Sequence, residues 1–350
     1  MGNNTKGSGL LSRAECNAMR GLAIIGIFMH NYCHWLGGIV RENEYQFFDN
    51  NVYGLNRAIA HADSLLPVHL FSFFGHYGVP VFLFLSAYGL YCKYESRPGD
   101  KSDTGCVSFI RVHFLKLFKM MIVGFVAFTM IDAITPGSHH YAASHIITQL
   151  LMVNNFMPSP DKVIWPGPYW FFGLMLQLYI VYRLLFYRRH WGVVVALMAI
   201  CWLAQVFCDP EGDTLNYIRY SCVGGMLPFG LGLLYARFGK QLTPAAHLFV
   251  CVVSLVLVYL LSQSYMTWYF VPIFIITLNI SLIKTLPCSL LEGMGSISAA
   301  LFVCHPITRK IFIPVSHHGD IYTGLLLYII ASIALAWLFR ELLKRVPIGK

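Results

Sequence analysis

Runs of about twenty mostly apolar residues recur along the chain, at about 17–38, 67–92, 109–134, 166–187, 190–210, 217–238, 244–262, 265–285, 291–313 and 320–343. At about 1.5 Å per residue, a helix of that length matches the hydrocarbon thickness of a bilayer, so each run reads as a membrane span. Composition agrees: 57% of the 350 residues are hydrophobic and 12% are charged, with a mean hydropathy of +0.61. A soluble protein of this length could not bury so much apolar surface. The expectation is an all-α integral membrane protein of about ten spans, a single domain over 1–350. The segment 144–156 is helical in pattern but short, and suits a re-entrant or interfacial piece.

Charge sets the orientation. With the N-terminus inside, the segments "KYESRPGDK", "YRRH", "ARFGK", "IKT" and "RELLKRVPIGK", with Arg111, Lys116 and Lys119, fall on the cytoplasmic side. The outer segments, "RENEYQFFDNNVYGLNRAIAHAD", "TPGSHHYAASH" and "DPEGDTLNY", carry fewer Lys and Arg, as the positive-inside rule requires. Arg309 and Lys310, placed in an outer loop after the ninth span, are the exception. An even number of spans puts both termini in the cytoplasm. The net charge of +9 then reflects basic loops facing anionic lipid, and membrane lipids rather than nucleic acid are the expected partners. The ten cysteines show neither metal-ligand nor disulfide spacing and read as small buried hydrophobes. No secretory signal precedes the first run. Lys6 stands where a myristoylation motif at Gly2 needs Ser or Thr.

Several ionisable groups nevertheless lie inside the apolar runs. With these boundaries His30, His76 and His305 lie about 12–13 Å below the outer ends of spans one, two and nine. An ionisable group in a membrane span is a functional-site candidate by default, because burying it unpartnered is costly. His34 follows His30 by one helical turn, on nearly the same face, and Asn31 lies close to the azimuth of Arg20; either orients a substrate or finishes the helix. Arg20 lies about 15 Å nearer the cytoplasm than His30, as an anchor for an anionic substrate or as a snorkelling interfacial arginine. His113 and His247, near cytoplasmic ends, read as solvated. No GxSxG elbow, HExxH, phosphate loop or GxGxxG fingerprint is present, and Asp132 and Glu292 lie near opposite helix ends. Histidine is the acid–base group left at depth. A neutral imidazole accepts a hydroxyl proton as a bond forms, and acyl transfer to an alcohol needs that base plus donors for the oxyanion.

The stretches "NAMRGLAIIGIFMH", "GVPVFLFLSAYG", "WPGPYWFFGLMLQLYIVYRLL", "GGMLPFGLGLLYARF" and "SISAALFVCHP" occur in the order seen in the membrane-bound acyltransferase family 3, which the chain resembles from about residue 13 to 313. The resemblance implies a ten-helix enzyme of the bacterial cytoplasmic (inner) membrane that acylates, most often acetylates, cell-surface carbohydrate. It implies that His30 is the general base and that Arg20 helps hold the acyl-CoA donor. It places the family's "GVxxFFxLSG"-like motif on Gly78, Val79, Phe82, Phe84, Leu85 and Ser86, with the Ser86 hydroxyl as a hydrogen-bond donor in the channel. Three positions depart from the family pattern. Nine residues, not ten, separate Arg20 from His30, which turns His30 by about 100° unless a bulge absorbs it and keeps His34 open as the base. Asn17 replaces an aspartate three residues before the arginine, and Ala87 replaces the glycine after the serine.

The expected reaction draws an acyl group from cytosolic acyl-CoA, most often acetyl-CoA, with no permanently bound cofactor and no metal. Arg20, Arg111, Lys116 and Lys119 are candidates for the CoA phosphates, the last three also serving simply to set topology. A carbohydrate or glycolipid hydroxyl enters from outside, where Trp35, Trp165, Tyr169 and Trp170 offer stacking faces. His34, Asn31, His76, Ser86, Trp170 and His305 complete the substrate-binding set. Direct attack and a two-step route through acyl-histidine both fit. The chain stops soon after its last helix, so no fused extracytoplasmic domain is expected. Two rivals stand beside this reading: a proton-coupled secondary transporter, and an acyltransferase acting on a lipid or small metabolite.

Overall fold

The computed structural model describes residues 10–96 and 105–346. The lipidation motif at residues 2–6, part of the basic segment at 97–101 and the tail at 347–350 lie outside the described residues. Among the described residues every regular element is helical. The chain begins with α1 (Arg13–Cys33), α2 (Asp49–Ala60) and α3 (Leu66–Phe74), which passes through a 3-10 turn (Gly75–Tyr77) into α4 (Gly78–Tyr94). Next come α5 (Cys106–Ile134), α6 (Ala143–Leu150), the single turn α7 (Pro160–Val163) and α8 (Trp170–Val181), which ends in a π-helical turn. Then follow α9 (Trp191–Val206), α10 (Asp213–Arg219), α11 (Cys222–Phe238), α12 (Pro244–Leu261) and the single turn α13 (Tyr265–Trp268). The chain closes with α14 (Val271–Thr285), α15 (Ser289–His318) and α16 (Ile321–Arg345).

Among the described residues, six helical stretches are long and apolar enough to cross a membrane: Leu66–Tyr94, Cys106–Ile134, Gly167–Phe186, Pro244–Leu261, Ser289–His318 and Ile321–Arg345. Three more of the expected runs, Trp191–Val206, Cys222–Phe238 and Val271–Thr285, are apolar but shorter. The remaining one, α1, has the length but is interrupted by Asn17, Arg20, His30 and Asn31.

Several boundaries differ from the expected ones for local reasons. The first helix stops at Cys33 rather than 38, ahead of Gly37 and of Gly38, whose φ is +74°. His30 is therefore one turn from the helix end, not about 12 Å below it. Span 217–238 is broken where the Ser221 hydroxyl caps α11 by accepting from Val223 N–H. The ninth run continues to His318, so Arg309 and Lys310 belong to a helix, not to a loop. Lys310 pairs there with Asp132 at 3.0 Å, which explains a basic residue at this position.

Helix α1 is the axis of the site. A capping box between Ser12 and Glu15 starts it. Gly21 and Gly295 let α1 and α15 approach so closely that a Cβ at either would fall within 2.0 Å of the other helix's backbone. Small residues are the usual means of such contact between membrane helices. Tyr328 on α16 fixes α1 from a third side, donating to the Phe28 carbonyl at 2.7 Å. His113 and His247, expected to be solvated, are instead buried by neighbouring helices. The His113 Nδ1 lies 2.8 Å from the Phe109 carbonyl, and the His247 Nδ1 lies 3.3 Å from the Ser281 hydroxyl.

Candidate active site

His30 sits in the last turn of α1, only 3% exposed. Its Nδ1 lies 2.7 Å from the backbone carbonyl oxygen of Ser72 on α3. A carbonyl only accepts, so Nδ1 carries the hydrogen and Nε2 of the neutral ring keeps its lone pair. The approach is possible because residue 75 is glycine: a Cβ there would lie 2.7 Å from the His30 Cβ and 2.4 Å from the Gly26 oxygen.

The Nε2 atom faces two carboxylates, Glu42 Oε1 at 3.9 Å and Glu44 Oε2 at 4.0 Å. Both come from the connection between α1 and α2, which folds inward instead of running over the surface. Its backbone is tied down throughout, as a buried segment requires. Val40 accepts from the Ser72 hydroxyl at 2.5 Å and donates to His69 Nδ1 at 3.1 Å. Asn51 donates to the Glu42 carbonyl at 2.8 Å, Trp268 to the Asn43 carbonyl at 2.9 Å, and Arg219 Nε to the Glu44 carbonyl at 2.6 Å.

The two carboxyls are driven apart in acidity. Burial alone would raise Glu42, but the adjacent His34 and His30 hold it well below the usual carboxylate range. Glu44 is pushed up to about 8 by burial and by the charge of Glu42, against the pull of Arg219. Near neutrality Glu42 is an anion and Glu44 a protonated acid, the divergence that separates acid from base roles in one site.

These groups line a cavity of about 650 Å³. His34 caps α1 with its Nδ1 3.0 Å from Glu42 Oε1 and its ring 4.6 Å from that of His30. The His76 ring lies 5.6 Å from His30. Arg309 reaches in from α15, 7% exposed. Its Nη1 donates to the Asn31 carbonyl and side-chain oxygens at 3.3 and 3.5 Å, and its guanidinium lies 4.9 Å from the Trp35 ring centre. Trp165, Trp170, Tyr45 and Tyr220 form an aromatic wall, with Tyr45 stacked on Tyr220 at 3.9 Å. His30, His34 and Glu42 also place ligand atoms within 4.8 Å of one another, a set able to hold a metal ion.

Of the residues singled out in the sequence, His30, Asn31, His34, His76 and Trp170 meet at this cavity, with Trp35 and Trp165. The others do not. His305 is fully buried behind Phe302, with its Nδ1 3.1 Å from the Leu301 carbonyl. Tyr169, expected as a stacking face, is buried and donates to the Val303 carbonyl at 2.9 Å. Ser86 lies lower on α4, as a hydrogen-bond partner of Tyr179. Arg20 lies ten residues before His30 in a regular α-helix, so no bulge absorbs the shortened spacing, and its Nη1 donates to Asn17 Oδ1 at 3.0 Å. Asn17 thus keeps an acceptor where the family pattern has an aspartate. Arg111 and Lys116 are exposed on α5 and Lys119 is half-buried, all away from the cavity. Sequence reasoning missed Glu42, Glu44 and Arg309. The available signal was the Glu-x-Glu pair inside "RENEY".

A bundle of apolar helices closed around a cavity lined by histidines and carboxylates marks a multi-pass membrane protein. The chain belongs to acyltransferase family 3, whose family model, described as an acyltransferase domain, matches residues 13–341. Comparison with curated proteins and with solved structures gave no match.

Proposed function

We propose that this protein is a transmembrane O-acyltransferase that moves an acyl group from cytosolic acyl-CoA to a hydroxyl of a cell-surface or periplasmic carbohydrate. One observation carries the reading: the His30 imidazole is held by Ser72 as the tautomer with Nε2 free, and that nitrogen faces Glu42 and Glu44 across a cavity. In this reading about ten helices cross the bacterial inner membrane, both termini are cytoplasmic, and the cavity opens outward.

The acceptor hydroxyl gives its proton to His30 Nε2 as its oxygen attacks the thioester carbonyl. Glu42, ionised beside the ring, stabilises the imidazolium that forms, much as a carboxylate does in a catalytic triad. The Arg309 guanidinium supplies positive charge on the cavity wall for the oxyanion. Collapse of the tetrahedral intermediate expels CoA thiolate, which takes the proton from the His30 imidazolium and so restores the neutral base. At the other end of α1, Arg20 holds the CoA moiety, whose thin pantetheine arm reaches toward His30. The Trp165, Trp170, Tyr45 and Tyr220 rings suit the faces of a sugar, with Asn50, Asn51 and Asn216 on the cavity lining as hydrogen-bonding partners.

The test is to purify the protein in detergent, supply radiolabelled acetyl-CoA, and follow CoA release and label transfer to cell-envelope glycans. Label in the glycan supports the reading. Label in a lipid or small molecule moves the acceptor class. If acyl-CoA is neither bound nor consumed across several chain lengths, the proton-coupled transporter reading takes its place.

A further inference from the structure

Behind the reaction cavity lies a second one of about 70 Å³. Glu44, Tyr45, His76, Val79 and Trp170 line both, so the two share a wall. Beyond it the lining turns apolar, with Leu83 from α4, Leu174 from α8, Met198 from α9, and Leu227 and Pro228 from α11. The polar groups of that lining include Arg219 and Gln205, which satisfy one another at 3.0 Å. Gly225 closes this lining tightly: a Cβ would lie 3.0 Å from Leu174 Cδ1 and 3.2 Å from Leu83 Cδ1, so a larger side chain there must displace these two lining leucines. His76 stands in the shared wall, 4% exposed, with the Phe73 carbonyl of the preceding turn beside its ring and at least one ring nitrogen without a hydrogen-bond partner. A buried ring nitrogen without a partner costs stability unless a ligand completes it.

The part of the void lined by Leu83, Leu174, Met198, Leu227 and Pro228 takes hydrocarbon rather than water. The molecule that fits both features has a polar carbonyl to meet His76 and a short aliphatic tail to pass the wall. We infer that the second cavity holds the tail of the transferred acyl group, and that the natural donor is a short-chain acyl-CoA longer than acetyl. This rests on the acyl-transfer reading and sharpens its donor. An engineered cavity of roughly 150 Å³ accepts benzene; about half that volume accommodates about three carbons beyond the carbonyl, a butyryl-sized group. An acetyl methyl leaves the void empty.

The experiment measures kcat/KM of the purified full chain with acetyl-, propionyl-, butyryl-, hexanoyl- and octanoyl-CoA. The expected profile rises about fourfold per buried methylene to butyryl and falls beyond it. Gly225→Val, which crowds the Leu83 and Leu174 side of the void, lowers the butyryl-to-acetyl ratio, and Met198→Ala, which enlarges the void, moves the optimum to hexanoyl. Opposite shifts from two variants in one lining do not arise from general destabilisation. A preference for acetyl that neither variant moves overturns the pocket and leaves the acyltransferase reading standing. Absence of turnover with every acyl-CoA overturns both.

Discussion

The two halves of α1 carry the two residues that the sequence marks most clearly, and they are built differently. At one end His30 is enclosed by α3, by an inserted loop and by α15, with its tautomer set by a backbone carbonyl and two carboxylates in front of it. At the other end Arg20 is only partly buried, and its recorded hydrogen bond goes to its own helix, through Asn17. The first environment is preorganised for a reaction, since its polar groups are fixed before any substrate arrives. The second leaves a cation free to meet a large anion. Chemistry at the His30 end and donor binding at the Arg20 end is the division of labour that the proposed function assigns, and this contrast supports it.

The largest effect should come from the His30 end. His30→Ala is expected to reduce acyl-CoA turnover by about two to four orders of magnitude, the usual weight of a general base. His34→Ala should reduce it far less. If the two losses exchange places, His34 is the base and the tautomer argument fails. Arg20→Ala breaks the comparison from the other end. The account expects KM for acyl-CoA to rise about tenfold or more, in line with a lost charged hydrogen bond, with a smaller change in kcat. A fall in kcat alone would move Arg20 into the chemistry.

A smaller and more diagnostic effect concerns pH. Burial and the nearby Glu42 charge hold Glu44 protonated up to about 8. As pH rises through that value Glu44 ionises, adding a second anion beside His30 that favours keeping its proton. Activity is therefore expected to fall above about pH 8, and Glu44→Gln should remove that alkaline limb. A limb that persists in the variant belongs to another group. Smallest of all, Tyr328→Phe removes the bond to the Phe28 carbonyl, two residues before His30 on α1. It should cost about 1–2 kcal/mol of stability in a thermal melt while leaving KM for acyl-CoA unchanged.

How much of this was legible in the sequence follows from what each feature depends on. The apolar runs were visible because hydropathy is local, and all ten proved helical. His30, His34 and His76 were placed together by counting residues along helices, and the structure brings their rings together. Depth carries no azimuth, however, so His305, selected by the same reasoning, faces elsewhere, as does Ser86, which the family resemblance offered. Glu42 and Glu44 were hidden because a polar loop between two spans looks solvated, and its insertion depends on long-range bonds from Ser72, Trp268 and Arg219. Arg309 was missed because its charge near the end of the ninth run read as an outer-loop residue, whereas packing against α1 and α16 carries α15 past it to His318. Helix α2 escaped notice because its apolar face is narrow, with only Val52 and Leu55 buried.

The claim that the two ends of α1 serve opposite sides of the membrane can be tested with sealed vesicles of defined orientation. Labelled acyl-CoA would be added only to the outside of inside-out and of right-side-out vesicles, each containing the acceptor glycan. The account predicts consumption and glycan labelling only in inside-out vesicles, where the Arg20 end faces the added donor. Equal turnover in intact right-side-out vesicles would contradict it, because the donor would then be entering from the His30 side.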